Sequence, residues 1–277
     1  MKILIVGLGL IGGSLAKAFK KFTDYDIIGL DKDENVLKKA EKNGDIDKAF
    51  DGNFGGIDII ISALFPRDTI NFVKENAEKI DKNTIVTDCG GVKEKVCAYL
   101  APIAKEKGFT FIGMHPMAGI EKFGYDNSLE DLFLGASLIL TPYDDTPEDA
   151  VKKLGDTVLK AGFSSVKISS PKEHDEVIAY TSQLAHVVSG AYIKSETAKR
   201  HVGFSAGSFR DMTRVAHLNE HMWIELFLDN SENLAKETDD LIERLKGYSD
   251  ALKNGDREKL FEILKTGREQ KDLIDSL

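Results

Sequence analysis

The sequence predicts an α/β domain followed by an all-helical domain. From residue 1 to about 170, short apolar runs alternate with amphipathic segments, which is typical of a mostly parallel sheet with helices on both faces. Beyond residue 170, apolar residues recur at helical spacing and no further strand pattern follows. The 277 residues suffice for two domains, and we predict a boundary between 1–169 and 170–277.

The apolar runs predict the strands 2–6, 26–30, 57–62, 84–87, 109–113, 136–140 and 164–168. The helical periodicity predicts long helices over about 173–199, 219–253 and 256–274. Ligands of parallel sheets bind beyond the carboxyl ends of the strands. We therefore expect the segments 62–64, 88–91 and 113–115, at the ends of three strands, to line one crevice.

A glycine motif follows the first predicted strand. Gly7, Gly9 and Gly12 form G-x-G-x-x-G ahead of a helix predicted over 14–21. In such a motif the first glycine permits a tight turn, the second admits a pyrophosphate close to the backbone, and the third lets helix and strand pack closely. The helix start offers N–H groups and a positive dipole end to phosphates. The motif predicts a Rossmann-type dinucleotide-binding domain.

The second predicted strand ends at Asp31, about 20 residues beyond the glycines, where a carboxylate would bind the adenosine ribose. This carboxylate would repel a 2′-phosphate, so the sequence favours NAD over NADP. Lys32 beside it leaves the strictness of that preference open. The predicted cofactor-binding residues are Gly7, Gly9, Leu10, Ile11, Gly12, Asp31, Ser62, Ala63 and Leu64.

The strand predicted over 109–113 leads into His115, which is followed by a proline. Imidazole titrates near neutral pH, so this side chain is suited to accept a proton from a hydroxyl that is being oxidised. A single histidine is more often structural, and position alone leaves both roles open.

Composition excludes several classes of partner. The net charge of −9 argues against nucleic acid and anionic membranes. The chain contains no apolar run of membrane-spanning length and no signal-peptide pattern, and Cys89 and Cys97 form neither a disulfide framework nor a metal-like spacing. We predict a cytoplasmic protein. His217 and His221 are one helical turn apart without a third ligand, so we predict no metal site.

The long amphipathic helices of the second domain carry more apolar surface than about a hundred residues can bury alone. Closed symmetric dimers are the commonest way to cover such surface. We therefore predict a homodimer.

Several segments occur in a characteristic order: the opening glycine motif, 87–93 (TDCGGVK), 113–119 (GMHPMAG), 140–142 (LTP), 182–186 (SQLAH) and 209–214 (FRDMTR). Together these segments resemble one known family, the prephenate dehydrogenases of tyrosine biosynthesis. The resemblance covers nearly the whole chain, and its most specific segments are HPMAG and FRDxTR. It implies NAD-dependent oxidative decarboxylation of prephenate, a small-molecule substrate, to 4-hydroxyphenylpyruvate.

The resemblance also implies roles for individual residues. His115 would bind and deprotonate the ring hydroxyl while hydride leaves the same carbon. Arg214 would bind a substrate carboxylate, for which a planar bidentate donor is suited. His186 would contact the pyruvyl side chain, and Glu121 and Asp211 would hold or gate the arginine.

Gly91 and Lys93 are further substrate-site residues that the resemblance implies, and the chain departs from the family pattern at one of them. Gly91 stands where many members have a serine that contacts both the substrate and the histidine. Ile120 occupies a site that is often threonine, and Gln183 replaces the first histidine of His-Leu-Pro-His. These departures leave the choice between prephenate and its amino analogue arogenate open.

Three alternatives remain at this point. Arg210, one turn before Arg214, either serves an anionic substrate or is an ordinary surface residue. A β-hydroxyacid-type dehydrogenase would use a helix lysine such as Lys194, but leaves HPMAG and FRDxTR unexplained. A non-catalytic NAD-binding sensor would need neither His115 nor Arg214 at one site.

Overall fold

An eight-stranded sheet organises the chain. The computed structural model describes residues 1–276. The strands are β1 (Lys2–Val6), β2 (Asp26–Leu30), β3 (Lys48–Ala49), β4 (Ile59–Ser62), β5 (Ile85–Asp88), β6 (Thr110–Pro116), β7 (Ser137–Thr141) and β8 (Ser165–Ile168). Their order is β3-β2-β1-β4-β5-β6-β7-β8, and neighbours are parallel except for β6 and β7. All seven predicted strands are present; the short edge strand β3 was not predicted.

The helices are α1 (Leu10–Phe22), α2 (Glu34–Asn43), α3 (Pro66–Asn76), α4 (Glu94–Lys107), α5 (Glu148–Leu159), α6 (Pro171–Ile178), α7 (Leu184–Tyr192), α8 (Gly207–Thr213), α9 (Glu220–Asp229), α10 (Ser231–Asn254) and α11 (Arg257–Asp275). A π-helical turn at Ala179–Gln183 joins α6 to α7. None of the helices within residues 1–276 is both long and apolar enough to cross a membrane.

Two of the predicted long helices are interrupted. The segment 173–199 is α6, the π-helical turn and α7, and its regular helix ends at Tyr192. The segment 219–253 is divided at Asn230, whose backbone leaves helical geometry (φ −124°, ψ 30°). The side chain of Asn230 donates to the Asp175 carbonyl, a tertiary contact that apolar periodicity does not encode.

The first helix begins earlier than predicted. The sequence suggested a start near residue 14, because glycine lowers helix propensity by about 1 kcal/mol relative to alanine. The structure starts α1 at Leu10, with Gly12 and Gly13 inside it and fully buried. A Cβ on Gly12 would lie 1.9 Å from the Gly7 carbonyl oxygen, so close packing outweighs propensity here.

The strands are buried on both faces of the sheet. Ile3 and Ile5 of β1 join the apolar core on one face, and Leu4 and Val6 join the core on the other. The continuous apolar runs in the sequence reflect this double burial.

The structure has two compact units, and the second begins at Ser231. The first unit, Met1–Asn230, contains the sheet and the helices α1 to α9. In the second unit α10 packs against α11. The first unit thus includes residues on both sides of the boundary predicted near residue 170, and within it α6 packs against α4.

Candidate active site

The carboxyl ends of three strands form the floor of the predicted cofactor crevice. Val6 of β1 is paired with Ser62 of β4, which is paired with Asp88 of β5. The chain runs from β1 outward to β2 and β3 on one side, and resumes with β4 on the other. Such a reversal of strand order is where doubly wound sheets bind dinucleotides.

The glycine turn has the geometry that a pyrophosphate requires. Gly7 has a positive φ of 87°, and a Cβ there would lie 2.8 Å from Leu64 Cδ2. No atom lies within 4 Å of the position a Cβ would take on Gly9, so the backbone is open to a ligand at this point. Gly9 precedes α1 without a capping side chain. The turn can accommodate a dinucleotide because both positions are glycine. A side chain at Gly9 would occupy the open space where the pyrophosphate would lie.

Leu10, Ile11 and Gly12 form the first turn of α1. The first backbone bond of the helix runs from Gly13 N to Gly9 O, so the preceding N–H groups have no partner within the helix. These groups and the positive end of the helix dipole are suited to bind phosphate oxygens.

Asp31 is held in place by the backbone of the glycine turn. One carboxylate oxygen accepts from Leu8 N at 2.7 Å, and the other accepts from Asp33 N at 2.9 Å. The side chain is half-buried at the end of β2. This fixes a negative charge next to the turn.

Ser62, Ala63 and Leu64 follow one another at the end of β4 and differ in exposure. Ser62 is fully buried, and its hydroxyl lies 2.8 Å from Thr69 Oγ1. Ala63 and Leu64 are partly exposed. A cofactor contact of the segment 62–64 stays a prediction.

His115 lies near the end of β6 and is half-buried. Its Nδ1 is 2.9 Å from Nε2 of His174, whose Nδ1 is 2.6 Å from Oδ1 of Asp175. Burial, followed by the neighbouring His174 and Lys93, holds the pKa of His115 well below its usual value. The imidazole is therefore neutral at neutral pH and able to accept a proton.

Lys93 forms a buried ion pair. Its side chain is fully buried, and its ammonium is bonded to the buried Asp88 and, at 2.9 Å, to the Met114 carbonyl oxygen. Met114 N donates to Asp88 Oδ1 at 3.3 Å. The ion pair therefore holds the backbone immediately before His115, and a direct substrate contact of Lys93 stays a prediction.

Replacing Lys93 by methionine should destabilise the protein by about 3–5 kcal/mol, because Asp88 would remain buried without a counter-charge. The measurement is the free energy of unfolding in urea. The control is Lys105→Met, which removes an exposed lysine paired with the exposed Asp145 and should change that free energy by less than about 1 kcal/mol. Equal small losses in both variants would contradict a structural role for Lys93.

Arg214 and Glu121 form an ion pair at 2.6 Å, with side-chain exposures of 64% and 36%. The role of Glu121 in holding the arginine for substrate stays a prediction. Arg214 is in a 3₁₀ turn directly after α8, and Asp211 and Arg210 are exposed on α8. The exposed guanidinium is accessible to an anionic ligand.

His186 supports the turn that carries Arg214. Its Nδ1–H donates to the Val215 carbonyl oxygen at 2.9 Å, and its ring lies against Trp223 with ring centroids 3.9 Å apart. Burial lowers the pKa of His186. Its Nε2 is thus left as an acceptor. Trp223 is thus a direct neighbour of this predicted site residue.

Two family models match the chain: the prephenate dehydrogenase nucleotide-binding domain over residues 15–167, and the prephenate dehydrogenase dimerization domain over residues 170–266. The chain belongs to the prephenate dehydrogenase family. A prephenate dehydrogenase from Bacillus subtilis is 33% identical over 98% of this chain and 75% of its own length. A cyclohexadienyl dehydrogenase from Zymomonas mobilis is 32% identical over 95% of this chain and 92% of its own length.

A solved structure of this family is similar throughout. Prephenate dehydrogenase from Aquifex aeolicus, in complex with hydroxyphenyl propionate and NAD⁺, superposes with a TM-score of 0.85 at 29% identity. The match covers 99% of this chain and 98% of that one. A Rossmann-type nucleotide-binding domain with a mostly helical C-terminal domain is therefore established for this family member.

Gly91, where the family resemblance implies a serine, lies beside the imidazole of His115. A Cβ there would lie 3.9 Å from His115 Nε2 and 3.7 Å from the methyl groups of Leu226. These are ordinary van der Waals distances, so a Cβ fits beside the imidazole nitrogen. In this family member the nitrogen therefore has no hydroxyl from position 91 beside it.

Gln183, the other notable departure, is buried and structural. Its amide donates to the Leu226 carbonyl oxygen at 2.9 Å and accepts from Asn230 at 2.7 Å. These contacts tie the π-helical turn to α9. No substrate role is needed to explain it.

Sequence reasoning missed His174 and Asp175. Neighbouring positions on a helix do not face each other, so a His-Asp pair has no recognisable helical spacing. The only available signal was a pair of adjacent titratable residues on one helix. Within residues 1–276, no three His, Cys, Asp or Glu side chains are grouped in a way that could hold a metal ion.

Proposed function

We propose that this protein is an NAD-dependent prephenate dehydrogenase. In this reaction His115 would take the proton of the ring hydroxyl while bound NAD⁺ would accept the hydride from the same carbon. The ring carboxylate would depart as carbon dioxide, and the proton would return from His115 to the oxygen of the aromatic product. The product, 4-hydroxyphenylpyruvate, is aromatic, which makes the overall reaction favourable. The observation that carries the proposal is a neutral His115 whose Nδ1 is already bonded, beside the strand ends that carry a dinucleotide cradle.

The chain's own residues supply binding and proton transfer. Leu10, Ile11 and Gly12 would hold the pyrophosphate with their backbone N–H groups, and Asp31 the adenosine ribose. His115 would take the hydroxyl proton on Nε2. Bound NAD would supply the hydride acceptor.

Substrate binding falls to the segment around Arg214 in this proposal. Its guanidinium would bind a substrate carboxylate, with Glu121 holding it in position until substrate arrives. His186 would contact the side chain that carries the keto group, using the nitrogen that Val215 leaves unoccupied. Asp211, exposed on α8, would modulate the arginine electrostatically.

Arogenate is the second candidate substrate. It differs from prephenate in carrying an amino group in place of the keto oxygen. The departures at Gly91 and Ile120, and the similarity to a cyclohexadienyl dehydrogenase, support testing it. A β-hydroxyacid reaction is less well supported, because Lys194 is exposed in the turn after α7.

The deciding experiment follows NADH formation by the purified protein with prephenate and, separately, with arogenate. We expect a higher kcat/KM with prephenate. Turnover of arogenate alone would assign the second substrate, and turnover of neither would refute the proposed reaction.

Asp31 should make NAD the preferred cofactor, since the 2′-phosphate of NADP would face its charge. We expect kcat/KM to favour NAD by at least about tenfold, equivalent to about 1.4 kcal/mol. Asp31→Ser should narrow that ratio, whereas Asp26→Ser, at the other end of β2, should leave it unchanged. Equal or better use of NADP by the unmodified protein contradicts the prediction.

A homodimer is the proposed assembly. The second unit exposes large apolar side chains on α10 and α11: Ile242, Leu245, Leu252, Phe261 and Leu264. The matching family model is itself a dimerization domain. Sedimentation equilibrium should give twice the chain mass of 30.6 kDa. A monomer at micromolar concentration would contradict the proposed homodimer.

The free thiols of Cys89 and Cys97 support a reducing, cytoplasmic setting.

A further inference from the structure

His174 and Asp175 lie on α6 and are both almost completely buried. They lie outside every segment that relates this chain to its family by motif. Their side chains form an unbroken hydrogen-bonded path from the start of α4 to His115.

Asp175 is anchored by a helix start. Its Oδ1 accepts from Lys93 N at 2.8 Å and its Oδ2 accepts from Glu94 N at 2.9 Å. The N-terminus of α4 has no capping side chain of its own, so Asp175 takes that place from another helix. A carboxylate at a helix N-terminus is stabilised as the anion, which only accepts hydrogen bonds. Rotating it away would forfeit both backbone bonds.

This acceptor determines the proton positions along the path. Asp175 Oδ1 lies 2.6 Å from Nδ1 of His174, so that nitrogen must carry a proton. A neutral imidazole has one N–H, so Nε2 of His174 is an acceptor. That acceptor lies 2.9 Å from Nδ1 of His115, which must then donate. The remaining nitrogen of His115, Nε2, is left with a lone pair.

We propose that His174 and Asp175 are positioning residues that set the tautomer and orientation of His115, so that its Nε2 is the proton acceptor. The proposal rests on the proposed dehydrogenation, because it names the atom that takes the hydroxyl proton. The same nitrogen is the one near Gly91, where a Cβ would lie 3.9 Å from it. When Nε2 takes the proton, Nδ1–H still donates to His174, and the Asp175 carboxylate compensates the new positive charge.

Asp175→Asn is the first test. The carboxylate of Asp175 accepts three hydrogen bonds on two oxygens, whereas an asparagine amide has only one acceptor oxygen. If the asparagine NH₂ faces His174, it donates to Nδ1, and the proton positions along the path are reversed. In the serine-protease triad an equivalent substitution lowers kcat by about 10⁴-fold through the wrong tautomer. We expect kcat to fall by about 10²–10⁴-fold here. KM for the substrate and Kd for NAD should stay within about twofold, since neither contact involves α6 in the proposed site.

His174 provides a matched pair of variants. His174→Gln retains an amide oxygen to accept from His115 and an NH₂ to donate to Asp175, so it should keep more than about a tenth of kcat. His174→Leu removes both and should resemble Asp175→Asn. The structural control is Asp229→Asn, which weakens another nearly buried carboxylate, paired with Lys95 at 2.5 Å, and should leave kcat within about twofold.

The tautomer itself is measurable without substrate. ¹⁵N-histidine spectra of the intact protein contain six histidines, and His115→Gln assigns the signals of His115. We expect a protonated Nδ1 and an unprotonated Nε2 at His115, exchanged in Asp175→Asn. A proton on Nε2 in the unmodified protein overturns the proposal, as does unchanged kcat in Asp175→Asn or an equal loss in Asp229→Asn. If neither prephenate nor arogenate is oxidised, the proposed function fails, while the nitrogen signals still decide the tautomer.

Discussion

Replacing His115 by asparagine should lower kcat by about 10²–10⁴-fold, the range that a general base contributes. Asparagine can still donate to His174, so the hydrogen-bonded path and the fold should persist. KM for prephenate and Kd for NAD should change little, because the substrate carboxylates and the pyrophosphate are bound elsewhere in the proposed site. Steady-state and single-turnover rates of NADH formation provide the measurement.

The pH dependence gives the same assignment an independent check. His115 acts as a base only when neutral, so activity should be lost as pH falls through its pKa. Burial and the neighbouring His174 and Lys93 lower that pKa below the ordinary 6.5. The acidic limb of kcat/KM should therefore lie below pH 6.5 and should disappear in His115→Asn.

The control is His201→Asn, which changes an exposed histidine bonded to Ser205. It should keep both kcat and the acidic limb. Retention of most of kcat by His115→Asn, or an acidic limb at or above the ordinary histidine value, would remove His115 from the role of base.

Arg214→Gln should raise KM for prephenate by roughly 10- to 150-fold, because hydrogen bonds to charged groups contribute about 1.5–3 kcal/mol. Glutamine lacks both the charge and the fork that binds a carboxylate through two bonds. The pairing of Arg214 with Glu121 predicts a further effect: Glu121→Gln should weaken the hold on the arginine and alter KM more than kcat. Initial rates over a range of prephenate concentrations measure both.

Arg210→Gln is the matched control for charge. It removes an equal charge from the exposed surface of α8, one turn earlier. Comparable increases in KM for the two variants would indicate a general electrostatic attraction of the anionic substrate. Loss of NAD binding in Arg214→Gln with a normal KM for prephenate would contradict the proposal. It would mean that the segment around Arg214 binds the cofactor and not the substrate.

The sheet and the cofactor turn were predictable because their signals are local. Buried parallel strands need apolar residues at consecutive positions, and such runs stand out in the sequence around Ile3–Val6 and Ile59–Ser62. The glycine turn was equally readable, since only glycine satisfies the positive φ at Gly7 and the contact at Gly12. The family segments around His115 and Arg214 were recognisable for the same reason: each is a contiguous stretch.

The helix boundaries required tertiary information. The apolar periodicity continues through Asn230 without interruption. The helix ends there because the side-chain amide of Asn230 bonds to the Asp175 carbonyl and to Gln183. Periodicity also gave no reason to start α1 at Leu10, because the benefit comes from packing against the turn at Gly7. In both cases a contact distant in sequence outweighs a local preference.

By itself, the sequence determined the α/β class, the dinucleotide turn, the acid at Asp31 and the histidine at position 115. Only the tertiary structure decided which groups surround that histidine. It buried Lys93 against Asp88, placed the Ser62 hydroxyl against Thr69, and brought His174 and Asp175 next to His115. The reason is physical: a hydrogen bond depends on where two side chains meet in space, and residues 115 and 174 meet only when α6 packs against the start of α4.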